Sequence, residues 1–262
     1  MKKNRYIAAL HRSAQKLTPI LIVIVLWQLL ASMHFIPTVK LPSPLAVFEG
    51  LRDLIQLGMP PGHRLHSHIF YSLLRVAYGY VAAITLAIPL GILMGSSKCI
   101  RRSLEPIIET IRPIPPLAWI PIAILWFGIG IHSASFIIFL GAFFPILLNT
   151  TAGVQTVDPV LIEVARMLNA NKKDILLKVL LPGAIPSIVT GLRIGLGTSW
   201  MTLVAAEFTG VKKGFGLGYM IMTAREIQRS DEIVAGMLVI GAIGLFLDQG
   251  IQWAEARWVK WR

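Results

Sequence analysis

The chain has 262 residues, of which 55% are hydrophobic and only 15% are charged, and its mean hydropathy is +0.69. A soluble domain needs more charge on its surface, so this composition excludes an ordinary soluble protein and predicts an integral membrane protein. The net charge of +12 does not indicate a nucleic-acid partner, because the basic residues lie mainly between hydrophobic segments rather than on one soluble domain.

Six hydrophobic windows approach the length needed to cross a bilayer, whose core of about 30 Å takes roughly 20 apolar residues of helix. Their hydrophobicity is continuous rather than alternating, which excludes a β-barrel. We therefore expect an all-α polytopic membrane protein with six transmembrane helices. The windows cover residues 17–35, 76–96, 115–130, 134–153, 185–206 and 233–252.

The positions of lysine and arginine predict how the chain is oriented in the membrane. With a cytoplasmic N-terminus, 16 of the 25 basic residues, Arg112 among them, fall in inner segments, as the positive-inside rule requires. We therefore predict a multi-pass protein of a bacterial or archaeal plasma (inner) membrane with both termini in the cytoplasm. The single cysteine, Cys99, excludes an internal disulfide.

Three regions follow from this reading of the chain. Residues 1–65 comprise a cytoplasmic tail, the first transmembrane helix and an outer linker, residues 66–252 form the transmembrane core, and residues 253–262 form a basic cytoplasmic tail. Within the core, "RPIPPLAWIP" has four prolines in ten residues. Proline removes a backbone donor, so we expect a broken or reoriented helix there rather than a clean span.

The connection between the fourth and fifth windows is polar and predicted to be cytoplasmic. Asp158 followed by Pro159 is typical of a helix N-terminus, and Asn169 stands where that helix must stop, in a left-handed conformation that asparagine tolerates. Asn171 then caps a second short helix. We expect this second helix to end at Leu181 and Pro182.

This helix–turn–helix resembles the EAA loop of binding-protein-dependent ABC importer permeases. The family pattern is Glu-Ala-Ala, three residues, Gly, nine residues and Ile-x-Leu-Pro, and two departures are the valine at its second position and the asparagine in place of glycine. Further stretches, "SLLRVAYGY" and "GLRIGLGTSWMTLVAAEF" among them, look like the nitrate, sulfonate and taurine group. The matching positions, which the resemblance makes ATPase-coupling residues, are Glu163, Val164, Ala165, Asn169, Val179, Leu181 and Pro182.

The resemblance implies a type I ABC importer permease fold with cytoplasmic coupling helices, working as a homodimer. Its partners would be two ABC ATPase subunits, which bind ATP and Mg, an extracytoplasmic substrate-binding protein, and membrane lipid. The chain itself would need no cofactor or metal, and it contains no GxxxxGK[ST], HExxH or GxSxG pattern. The alternative is an ion-gradient-driven secondary transporter, which predicts intramembrane acids and inverted repeats.

Polar residues inside the last two windows are candidates for the translocation pathway. Gly191, Gly195 and Ser199 form a stripe suited to close helix packing, whereas the ionisable Arg193 projects from the opposite face. Arg193 either attracts a transported anion, such as nitrate, a sulfonate or bicarbonate, or forms a structural ion pair with Asp248. The candidate pathway residues are Thr190, Arg193, Gly197 and Asp248, and Glu207 is a candidate for the outer gate or for docking of the binding protein.

Overall fold

The computed structural model describes residues 18–19, 21–33, 36–59, 62–208 and 215–258, and this part of the chain is helical without a strand. A 3-10 turn, Pro116–Trp119, precedes α5, and a π-helical turn, Leu176–Leu180, joins α8 to α9. The helices are α1 (Leu21–Ser32), α2 (Pro44–Gln56), α3 (Leu65–Ser96), α4 (Lys98–Ile111), α5 (Ile120–Phe127), α6 (Ile131–Gln155), α7 (Pro159–Met167), α8 (Lys172–Ile175), α9 (Leu181–Phe208), α10 (Leu217–Glu226) and α11 (Ser230–Trp258).

Four helical segments in the described ranges are long and apolar enough to cross a membrane: Leu65–Ser96, Ile131–Gln155, Lys172–Phe208 and Ser230–Trp253. A fifth span results when α4 and the segment Pro116–Phe127 are counted together, although these are bent by 84° relative to each other. The third predicted window is therefore a broken span, as its prolines predicted. The first window contains α1, which is shorter, and the fold fits the predicted six-helix arrangement.

The described residues of 66–219 and 240–262 form one compact unit, in which α6 packs closely against α9. A Cβ atom on Gly191 would lie 2.8 Å from the Cβ of Asn149, and one on Gly195 would lie 2.8 Å from Ile146 Cγ1. Ser199 donates a hydrogen bond to the Ile138 carbonyl at 3.2 Å. The small residues thus bring the two helices into backbone contact, which confirms the predicted packing stripe.

The described residues of 1–65 and 220–239 form the other compact unit. Ser43 caps α2 by accepting from the Ala46 amide at 3.2 Å, and Trp27 donates to the Pro42 carbonyl at 3.0 Å. Arg229 contacts three carboxylates within 3.1 Å. Its hydrogen bond to Asp231 is the main cause that raises the pKa of its guanidinium above the ordinary value. This ion cluster fixes the start of α11 within the unit.

One boundary differs from the prediction, because the helix after Asn171 does not end at Leu181 and Pro182. The helical run instead continues from Lys172 to Phe208. In the π-helical turn the Leu181 amide donates to the Leu176 carbonyl, five residues back rather than four. This wider turn accommodates a proline, whose ring would otherwise clash with a carbonyl of the preceding turn. The expected break is wrong, and α8 and α9 form one rod.

Candidate functional site

The polar connection folds into α7, a tight turn, α8 and the π-helical turn. α7 begins with Asp158, whose carboxylate accepts from the Val160 amide at 2.9 Å, and Pro159 occupies its first turn. This cap satisfies one of the amides that a helix N-terminus leaves without a partner, which typically stabilises a helix by about 1 kcal/mol. The predicted start of the helix is confirmed.

The turn after α7 is fixed by backbone geometry at Asn169, whose φ of 57° lies in the left-handed region. The Ala170 amide donates to the Ala165 carbonyl at 3.0 Å, and the Asn169 amide donates to the Arg166 carbonyl at 2.9 Å. These two bonds form a Schellman motif, the helix ending in which glycine or asparagine adopts positive φ. The asparagine that departs from the family pattern therefore performs the conformational role of glycine.

α8 starts directly after this turn. The Asn171 side chain accepts from the Asp174 amide at 2.9 Å, and the Asp174 carboxylate pairs with Lys178 one turn later at 2.7 Å. The cap predicted from sequence is confirmed. Two capped helices with a hydrogen-bonded turn between them make this connection a defined structural element rather than a loose loop.

The exposed face of α7 carries an apolar stripe, which no described residue of this chain buries. Its members lie one, four, seven and eight positions after the first of them, a spacing that puts their side chains on one face of the helix. Met167 and Leu168 are 84% and 77% exposed, and no α7 residue is buried. We call this set the α7 stripe: Val160, Leu161, Val164, Met167 and Leu168.

The structure distributes the seven predicted coupling residues over the whole connection. Glu163 and Val164 are exposed on α7, while Ala165 is half-buried and supplies the carbonyl of the turn. Val179 lies in the π-helical turn, and Leu181 and Pro182 begin α9. Every one of the seven thus lies in α7, the turn after it, the π-helical turn or the first turn of α9.

Among the candidate pathway residues, Arg193 and Asp248 are in direct contact. Arg193 Nε donates to one carboxylate oxygen at 2.8 Å and Nη2 donates to the other at 3.2 Å, while Gln252 also donates to Asp248 at 2.7 Å. Both charged side chains are 43% exposed. A fork-shaped pair of this kind is geometrically specific, but its exposure leaves it open to a small molecule.

This ion pair borders a cavity of about 420 Å³, which Thr190, Ile194 and Glu255 also line. The Thr190 hydroxyl donates to the Pro186 carbonyl at 3.0 Å. A Cβ on Gly197 would meet no atom within 4 Å, and Gly197 faces a smaller recess beside the same pair. Thr190, Arg193 and Asp248 therefore line one partly open cavity between α9 and α11, whereas Gly197 lines a separate recess that also borders the ion pair.

Glu207 is completely buried, and its carboxylate is held by α3 and by the start of α10. Arg75 Nη1 donates to it at 2.6 Å, the Ser72 hydroxyl at 2.8 Å and the Gly218 amide at 2.8 Å. A buried carboxylate needs several such donors to compensate for its lost hydration. In this conformation Glu207 has no surface to offer a docking protein.

The same cluster fixes the backbone of residues 216–218. Ser72 accepts from the Leu217 amide at 2.8 Å, and His68 Nδ1 lies 3.1 Å from the Gly216 nitrogen and 2.9 Å from its carbonyl oxygen. Gly216 has a φ of +145°, and a Cβ there would lie within 2.7 Å of the Glu207 carboxylate. Only glycine therefore fits at this position.

Sequence reasoning placed Glu207 near the outer gate but missed the residues that hold it. His68, Ser72 and Arg75 follow one another at spacings of four and three, which puts three polar side chains on one face of an otherwise apolar helix. A polar stripe of this kind in a membrane span indicates a buried partner. That signal was present in the sequence.

In the described ranges, no three His, Cys, Asp or Glu side chains cluster as a metal site would require.

Residues 87–255 match the pattern of the family described as binding-protein-dependent transport system inner membrane component. The taurine transport system permease protein of Escherichia coli is 40% identical over 92% of this chain and 86% of its own length. The nitrate import permease protein of a Synechocystis strain is 41% identical over 90% and 86%. A chain of the inward-facing methionine ABC transporter MetNI has the same fold, with a TM-score of 0.61 at 23% identity, over 74% of this chain and 93% of that one.

Proposed function

Because this chain belongs to the family of binding-protein-dependent transport system inner membrane components, we propose that it forms the translocation pathway of an ATP-driven importer of a small anion or organic acid. The candidate substrates are nitrate, taurine or another alkylsulfonate, and bicarbonate. In this proposal two copies of the chain assemble with two ABC ATPase subunits, which bind ATP and Mg and hydrolyse the ATP, and with an extracytoplasmic binding protein. The chain is a polytopic membrane protein with the ABC permease fold.

The single observation that carries the coupling part of this proposal is the exposed α7 stripe. An amphipathic helix whose apolar face is uncovered is suited to a hydrophobic groove on a partner. Burying five apolar side chains there would stabilise a complex by several kcal/mol, at about 25 cal/mol per Å². The exposed Glu163 beside the stripe is suited to a basic residue at the rim of that groove.

The continuous rod from α8 to α9 supplies a route from this surface to the candidate pathway. Arg193 lies 21 residues after Lys172 in the same helical run, which is roughly 30 Å at 1.5 Å per residue. A displacement of α7 by an ATPase subunit therefore moves the segment that carries the Arg193–Asp248 pair. This is how ATP-driven closure of two ATPase subunits would open the pathway to alternate sides of the membrane, with both chain termini in the cytoplasm.

Two leucines provide a matched test of the coupling surface. Leu168 and Leu57 each lie at the C-terminal cap of a helix and are 77% and 71% exposed. We expect Leu168→Glu to abolish co-purification with the cognate ABC ATPase, because it puts a charge into the apolar contact. Leu57→Glu should leave the complex intact. Equal retention of the ATPase by both variants would contradict the assignment of the α7 stripe.

A second pair of variants, studied in the reconstituted complex, distinguishes the two possible roles of Arg193. If Arg193 attracts the transported anion, Arg193→Gln abolishes uptake while the complex with the ATPase still forms. If the pair is structural, Arg193→Gln prevents assembly, and Asp248→Asn in the same chain restores it. Uptake and assembly of the single and double variants, measured side by side, distinguish the two roles.

A further inference from the structure

Arg112 differs from the other arginines that lie against the spanning helices. Arg75 pairs with Glu207 and Arg193 pairs with Asp248, so each of these guanidinium groups is neutralised. The Arg112 side chain is exposed and makes no ion pair or hydrogen bond with any residue in the described part of the chain. An uncompensated cation beside membrane-spanning helices is a group that attracts an anion.

Arg112 lies at the C-terminus of α4, directly before the bend that separates α4 from α5. Arg112 caps α4 and lines a cavity of about 410 Å³ together with Gly141 of α6 and Thr198 of α9. Gly141 is ten residues inside α6, about 15 Å from its start, and Thr198 is about 25 Å from Leu181. Arg112 therefore borders a cavity whose other walls include the middle of α6 and of α9.

The cavity walls are mostly apolar, with Trp119, Phe144 and Met201 among them. Its two hydroxyl groups donate their protons elsewhere: Thr198 to the Gly141 carbonyl at 2.7 Å and Thr202 to the Ser199 carbonyl at 3.0 Å. They present only lone pairs to the cavity, so they offer nothing to a small oxyanion that needs donors on all sides. The apolar walls are suited to the hydrocarbon part of a ligand, and Arg112 is the charged group suited to its anionic head group.

We propose that this cavity is a substrate subsite of the translocation pathway for a small organic anion of the alkylsulfonate type. The sulfonate head binds Arg112, and the carbon chain packs against the apolar wall. Nitrate and bicarbonate carry no apolar body for that wall and are disfavoured. This inference rests on the proposed import function and narrows its substrate class.

Cysteine accessibility tests the subsite directly in the purified complex with the ATPase. Met201 lines the cavity and is 77% exposed, and Ile194 is a matched position, 47% exposed, beside the neutralised Arg193–Asp248 pair. Met201→Cys and Ile194→Cys, each with Cys99→Ser, are treated with the anionic sulfonatoethyl methanethiosulfonate and with a trimethylammonium reagent of similar size. The anionic reagent itself carries an ethylsulfonate group.

We expect the anionic reagent to modify Met201→Cys faster than the cationic one by roughly tenfold, the effect of one nearby charge at an intermediate dielectric. Arg112→Gln should remove this preference, and Ile194→Cys should show none. Ethanesulfonate should protect Met201→Cys at lower concentration than nitrate or bicarbonate does. These outcomes together support the subsite.

A preference that Arg112→Gln leaves unchanged overturns the role of Arg112, and equal protection by all three anions overturns the organic substrate class. Met201→Cys that is unreactive but forms a disulfide with a second copy shows that the cavity is a subunit contact and overturns the proposal. Each of these results is obtained on a complex that contains the ATPase. Failure of the chain to assemble with the ATPase is a separate result, which contradicts the proposed function instead.

Discussion

Replacing Arg75 with glutamine leaves the Glu207 carboxylate fully buried without its charged partner. The remaining donors, Ser72 and the Gly218 amide, do not compensate for a charge that has been removed from water. Breaking a buried ion pair on one side typically costs about 3–5 kcal/mol. At about 2–4 °C per kcal/mol for a chain of this size, we expect the unfolding midpoint to fall by roughly 6–20 °C.

The assay is the thermal unfolding of the detergent-purified protein, compared with Arg52→Gln, which makes the same change on the exposed side of α2. Arg52→Gln should shift the free energy of unfolding by no more than about 0.5 kcal/mol. The double variant Arg75→Gln with Glu207→Gln should recover much of the loss, because two neutral amides can hydrogen-bond to each other and to the surrounding donors. A midpoint for Arg75→Gln equal to that of Arg52→Gln would show that the ion pair with Glu207 does not stabilise the fold, as would a double variant less stable than either single one.

Two further predictions concern backbone geometry. Asn169→Val should destabilise the turn after α7 by about 1–2 kcal/mol, because a β-branched residue resists a φ of 57°. Asn169→Gly should be neutral. We expect faster hydrogen exchange at the Ala170 amide in the valine variant alone. Gly195→Ala should lower the unfolding midpoint, because its Cβ would lie 2.8 Å from Ile146 Cγ1, whereas Gly197→Ala meets open space and should not. Equal effects of the two alanines would contradict the packing of α6 against α9.

Much of this fold is local in origin and could therefore be predicted from sequence. Hydrophobic length indicates the spans, proline indicates the break before α5, and the caps at Asp158 and Asn171 depend on residues only two or three positions away. The left-handed turn at Asn169 is equally local. The predicted end of the helix at Pro182 was wrong, because a π-helical turn that accommodates the proline has no clear sequence signal.

The long-range contacts were only partly predictable. Asp248 was an expected partner for Arg193 because it is the one acidic residue within the last predicted window, and the structure joins them at 2.8 Å. The environment of Glu207 depends on contacts with residues more than 130 positions away in the chain. Neither periodicity nor capping reports such a separation, and the polar stripe on α3 reveals only that some partner exists.

Site-specific photo-crosslinking tests whether an ABC ATPase acts on this chain through α7. A benzophenone amino acid replaces Leu168 in one variant and Leu57 in another, and the complex is irradiated in membranes that contain the cognate ABC ATPase. We expect a crosslinked product with the ATPase subunit from position 168 and none from position 57. No product from position 168, in membranes where the ATPase is present, would contradict this role of α7.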